Sequence, residues 1–159
     1  MALLPPHPVH LAVRWVHVLG MATLFGGAVL AWMALHSDGT PVARGETRAP
    51  PLRIAAAYEW LFWAAAGILV LTGVGNLGAM APVIPAPGTG WGRTFSVKLL
   101  VVIGLLIGSM VRTLGVVGLV AGAPSRLTTA AFDRLRFAYV ATAVYLLLVV
   151  LLAEVLAHG

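Results

Sequence analysis

Apolar residues fill this chain in four long blocks, at about 8–35, 52–80, 94–121 and 130–157. Each exceeds the roughly 20 helical residues that cross about 30 Å of hydrocarbon. Polar, glycine and proline residues gather between them, in HSDGTPVARGETRAPP, in APVIPAPGTGWGR and in GAPSRLTT. No block alternates with period two, which weighs against a β-barrel. Within hydrocarbon only helices and closed barrels satisfy the backbone, so the pattern predicts an all-α, integral-membrane four-helix bundle forming a single domain. Pro5, Pro6 and Pro8 mark the start of the first helix, where proline is tolerated.

Within the first block, residues 10–32 are apolar apart from a few side chains that lipid would not hold freely. At 3.6 residues per turn, His10, Arg14, His17 and Met21 are expected on one stripe, facing the other helices. Small residues, among them Gly20, Gly26, Gly27, Gly67, Gly73 and the Gly104/Gly108 step, mark places where helix backbones approach. Tyr58, Trp60, Trp63 and Trp91 read as anchors at the membrane–water interfaces.

Composition sharpens the membrane reading. The chain is 60% hydrophobic and 9% charged, too few charges to cover a water-facing surface. The net charge of +5 comes from basic residues lying between apolar spans, not from runs interleaved with aromatics, so no nucleic-acid partner is expected. The bilayer is the expected partner. The absence of cysteine removes disulfides, thiolate metal sites and cysteine nucleophiles. The first block is interrupted by Arg14 and too long for a signal core, and is expected to be retained as a span. Arg44, Arg48 and Arg53 flank the first connection, and Arg112, Arg126, Arg134 and Arg136 the third, whereas the other side carries only Arg14, Arg93 and Lys98. The positive-inside rule then places both termini outside a multi-pass protein of the plasma membrane.

This topology brings His10, Arg14, His17, Lys98, Glu154 and His158 to the outer half of the bundle. An ionisable group inside a membrane costs at least about 2.5–3.5 kcal/mol, and such groups are usually paired or functional. One reading is a metal or cofactor site. Imidazole suits copper, zinc and haem iron, and thioether suits copper(I), which makes His17, Met21 and His10 candidate ligands and Arg14 a candidate cofactor contact. The other reading has Arg14 and Lys98 reaching lipid phosphates, Glu154 paired with one of them, and His17 hydrogen-bonded to a neighbouring helix. Two-histidine haem ligation has little support, since His10 and His17 share a face and the second and third helices hold no histidine. Met21, Met110, Lys98, a lone histidine or a second subunit remain for haem. Toward the cytoplasm, Glu59 is expected to pair with Arg112 or Arg136, near Asp133, as a structural ion-pair network. GVGNLG at 73–78 follows no strand and is not a dinucleotide signal. There is no GxSxG, HExxH or P-loop.

Two stretches carry a family resemblance. RWVHVLGMATLFGG, from Arg14, resembles the first helix of the copper resistance protein D (CopD) family, and GWGRTFSVKLLVVIGLLIGSMVR, from Gly90, resembles that family's aromatic-Gly-Arg, Lys-Leu and small-residue pattern. LTG at Leu71 fits its second helix. The chain is similar, more distantly, to HemJ-like protoporphyrinogen oxidases, which pair a first-helix histidine with a lysine early in a later helix. The resemblance implies a four-helix domain for copper handling, with His17, Arg93 and Lys98 as the residues carried over by position. The expected function is to bind copper or haem b near the outer face, in metal transport or electron transfer. A cofactor-free accessory subunit of a respiratory or transport complex, or a homo-oligomer, and a HemJ-like oxidase stand as alternatives.

Overall fold

A computed structural model describes residues 8–36, 50–80, 86 and 88–158. They form α1 (Pro8–His36), α2 (Pro50–Met80), α3 (Gly90–Ala121) and α4 (Thr129–His158), with one 3-10 turn at Pro124–Arg126. No strand occurs among the described residues. All four helices are long and apolar enough to cross a membrane, the architecture of a multi-pass membrane protein. Pro5, Pro6, Arg44 and Arg48 lie outside the described residues.

The helices run up, down, up and down. α1 packs along α2 and α4, and α3 along α4 and, over a smaller contact, α2. The bundle is thus a ring, with α1 and α3 on one diagonal, both starting at what is termed here the entry end.

Local chemistry sets the helix starts. Pro50 and Pro51 occupy the first turn of α2, where a missing N–H costs nothing. α3 begins at Gly90, four residues before its apolar run, because the Thr89 hydroxyl accepts the Gly92 N–H at 3.0 Å and caps the helix. Trp91 and Arg93, expected in a connection, are therefore helical. Trp91 donates its indole N–H to the Leu156 carbonyl at 3.2 Å and stacks on Phe95, tying the start of α3 to the end of α4. Thr128 caps α4 in the same way, accepting from Ala131 N at 3.2 Å.

Burial is uneven along the bundle. Leu24, Ala28, Ala31 and Leu35 on α1 pack against Leu52, Ala55, Tyr58 and Phe62 on α2, with Leu105 and Val116 on α3 and Phe132, Leu135, Tyr139 and Leu146 on α4 completing one core. All belong to the central and far part of the bundle. In the entry half the inward stripes continue as Val13, His17 and Met21 on α1, Thr72 and Gly73 on α2, Lys98, Val101 and Val102 on α3, and Leu152, Ala153 and Leu156 on α4. These are only half-buried. The outward faces are apolar throughout, with Trp60, Leu71, Leu100, Val111 and Phe137 among the most exposed, as a lipid-facing surface requires.

The glycines divide by what they face. Gly27 lies against the Tyr58 ring, Gly20 against Leu69 and Gly104 against Tyr145, whereas Gly26, Gly67 and Gly108 face open space. The Gly104/Gly108 step is thus not a helix–helix seam within the chain. Its first glycine makes room for an α4 tyrosine, and its second points outward.

Candidate functional site

Counted inward from the entry end, the deepest of the three ionisable groups His10, Arg14 and His17 on α1 is His17. Its Nδ1 lies 2.8 Å from the Thr72 hydroxyl oxygen of α2, and that oxygen also lies 2.8 Å from the Ile68 carbonyl one turn back. A hydroxyl has one proton. Both contacts are made together only if Thr72 donates to Ile68 and accepts from an Nδ1–H of His17. The ring is then fixed in one orientation, with the Nε2 lone pair uncommitted. Such anchoring of the distal ring nitrogen is how histidine ligands are held elsewhere. The ring lies against α2 at Gly73, where a Cβ would meet His17 Cε1 in ordinary contact at 3.7 Å.

Hydrogen bonds deeper in the bundle set the depth of Lys98 relative to this pair. Glu59 on α2, Arg112 on α3 and Tyr139 on α4 are joined directly and so lie at one level. Thr72 lies 13 residues entry-ward of Glu59 (59 to 72), and Lys98 lies 14 entry-ward of Arg112 (98 to 112). At roughly 1.5 Å per residue both rise about 20 Å, so Lys98 reaches the level of Thr72 and His17. Among the described residues, Lys98 has no hydrogen-bond or ion-pair partner.

The remaining members of the expected outer cluster do not converge on this point. His10, Arg14, Arg93, Glu154 and His158 are exposed. The expected four-residue stripe on α1 splits for a geometric reason. At about 100° per residue, Met21 lies about 40° and Arg14 about 60° from His17 in the same sense, so Arg14 stands at the edge of the stripe and Met21 inside it. Met21 packs against the core, whereas Arg14 turns out. Glu154 pairs with His158 one turn on, at 3.4 Å, and not with Arg14 or Lys98. Met110, named for haem, is also exposed. Among the described residues no three His, Asp or Glu side chains converge as a metal would need. Among the described residues His17 is the imidazole held between helices, since His10, His36 and His158 are exposed.

A second polar cluster lies about 20 Å deeper by the same helical rise. Arg112 binds Glu59 in two-pronged fashion, Nε to Oε1 at 2.8 Å and Nη2 to Oε2 at 3.0 Å, with both side chains almost wholly buried. Nη1 donates to the Thr142 hydroxyl, with Ser109 Oγ at 3.4 Å. Glu59 also accepts from the Tyr139 hydroxyl at 2.8 Å and from Thr113, which in turn accepts the Trp63 indole N–H at 3.0 Å. The rings of Tyr58, Phe62 and Tyr139 surround the guanidinium, at 5.2, 4.7 and 5.0 Å from its carbon. Every polar atom of the pair is thereby satisfied, the condition under which a buried ion pair is tolerated.

Of the two arginines expected for Glu59, Arg112 is thus the partner. Arg136 binds Asp133 at 2.8 Å and sends two N–H groups to the Leu35 carbonyl, closing the end of α1. Tyr58 is not an interface anchor. It is buried and donates to the Leu24 carbonyl at 2.9 Å.

No known protein family, curated protein or solved structure matches this chain. Its chemistry therefore rests on these two clusters, and they differ in kind. In the Glu59–Arg112 cluster every buried polar side-chain atom has a partner. The His17 level holds a ring-nitrogen lone pair and an unmatched ammonium.

Proposed function

We propose that this protein is a CopD-like multi-pass protein of the plasma membrane that holds a redox metal, copper or haem b, near the outer face. It carries or stores that metal in copper handling or electron transfer. One observation supports this reading above others: the His17 ring, half-buried between helices, is pinned through Nδ1 by Thr72 and keeps Nε2 for a ligand.

Arg53, Arg126 and Arg134 are exposed at the far end and Arg136 caps α1 there, which argues for that end in the cytoplasm and the entry end outside. The half-covered entry half then opens outward. For copper(I), His17 Nε2 and the thioether of Met21, one helical turn on, are the donors of matching softness. For haem b, His17 would supply a nitrogen ligand to the iron, with Arg14 and Arg93 at the same end as contacts for its carboxylates. Either group would supply one-electron chemistry. The chain's own part is to orient one imidazole and limit water around it.

The test is the absorption spectrum of detergent-purified protein, oxidised and dithionite-reduced, together with its metal content. His17→Ala is expected to abolish the Soret band or the bound copper. Thr72→Val, which removes the acceptor for Nδ1–H, is expected to weaken metal binding about 10–100-fold. A featureless spectrum with metal content indifferent to His17 would overturn this reading in favour of a cofactor-free accessory subunit. Porphyrinogen turnover dependent on Lys98 would favour a HemJ-like oxidase instead.

A further inference from the structure

The level of the bundle that contains His17 is positively charged and has no internal acid. On α1 the inward groups there are Val13, His17 and Met21, and on α2 they are Thr72 and Gly73. On α3 it is Lys98 with Val101 and Val102. Tyr139 fixes the depth of α4, and 13–14 residues beyond it (139 to 152 and 153) stand Leu152 and Ala153, both apolar. Glu154 is the nearest carboxylate along α4, but it is exposed, with His158 Nδ1 at 3.4 Å. Asp133 and Glu59 belong to the far half and are already engaged. Thr72 has committed its proton to the Ile68 carbonyl. Among the described residues nothing neutralises Lys98.

This matters most when His17 is loaded. A cation on Nε2 would face the ammonium across an interior of low dielectric, where like charges repel far more strongly than in water. An anion between the two removes that conflict. The surroundings also select its type. The half-buried apolar lining of valines, Met21 and Leu152 offers few hydrogen bonds, so a weakly hydrated, singly charged anion enters at least cost.

We infer that Lys98 forms an anion subsite in the entry half of the bundle, holding a monovalent anion beside His17. The anion is either free or the carboxylate head of an amphiphile. Lys98 supplies the charge and the N–H donors, the apolar stripes of α1, α3 and α4 supply the walls, and His17 Nε2 stands at the far side. The inference deepens the metal reading, making the anion the counter-charge of the metal. It does not require the metal to be present, because Lys98 lacks a partner without it.

Radioactive thiocyanate serves as the probe, in equilibrium dialysis against metal-free, detergent-purified full-length protein at constant ionic strength. Wild type and Lys98→Arg are expected to bind it at a single saturable site, and Lys98→Met is expected to lose that site. Infrared absorption of the bound anion should shift toward its value in a dry medium. Displacement by acetate identifies a free small anion, and displacement by decanoate alone identifies an amphiphile head, and either supports the subsite. No saturable binding to wild type, or equal binding to Lys98→Met, overturns it. His17→Ala separates the two claims: it is expected to lose metal while keeping thiocyanate. Metal loss without any thiocyanate binding would sink this inference and leave the metal reading intact.

Discussion

Arg112→Met is expected to destabilise the bundle by about 3–5 kcal/mol, the cost of leaving a buried charge without its partner. The variant removes both prongs to Glu59 and the contact to Thr142, leaving a carboxylate that only Tyr139 and Thr113 still address. Three aromatic rings also lose the cation they surround. Unfolding of the purified protein in bicelles, followed by circular dichroism against added denaturing detergent, measures the loss. The companion measurement is the double variant Arg112→Met with Glu59→Leu. It is expected to be more stable than the sum of the two single changes allows, because removing both charges relieves the penalty that each single change creates. Wild-type stability in Arg112→Met, or strict additivity, would show that the pair contributes little to holding α2, α3 and α4 together.

Gly27→Ala is expected to cost about 1–3 kcal/mol, a large effect for one methyl group, through overpacking. A Cβ at this position would stand 2.6 Å from two carbons of the Tyr58 ring. That ring cannot easily move. Its hydroxyl donates to the Leu24 carbonyl, its edge meets the Tyr139 ring at 5.6 Å, and the Arg112 guanidinium lies beside it. The neighbouring Gly26 provides the control, since nothing lies within 4 Å of a Cβ there. Gly26→Ala is expected to be neutral or slightly stabilising, given the roughly 1 kcal/mol helix-propensity advantage of alanine over glycine. The same unfolding assay compares the two. Equal behaviour of the neighbours would mean that the α1–α2 contact is looser than its geometry indicates.

Much of this architecture is visible in the bare sequence, because a membrane span has to declare itself. Four apolar runs divided by glycine, proline and arginine leave little choice of fold, and the helices begin within four residues of those runs. The Glu59 ion pair was readable for a related reason: a carboxylate placed in a span needs a cation at its own depth. Choosing between Arg112 and Arg136 was beyond the sequence, because that depends on how each helix is rotated about its axis, and both arginines lie at compatible depths. Tyr58 reads as an interface anchor from sequence alone because a tyrosine near the end of a span ordinarily belongs there. Its adjacency to Glu59 and its spacing of one turn from Phe62 were the available signals that it turns inward. Tyr139 and Thr142, three residues apart, gave a comparable hint on α4. The half-burial of His17 followed from its depth, but its tether to Thr72 depends on the register of α1 against α2, which apolar sequence does not encode.

The near-equal climbs from Glu59 to Thr72, from Arg112 to Lys98 and from Tyr139 to Leu152 have a consequence for how such a chain can evolve. The stretches between act as rulers: their length carries information that their composition does not. One aliphatic residue can replace another along them with little effect on the upper level, while a single inserted residue in α2 would raise Thr72 by one step and swing it about 100° away from the imidazole. On the outward faces of these spans drift is therefore free in letter, while the count is fixed.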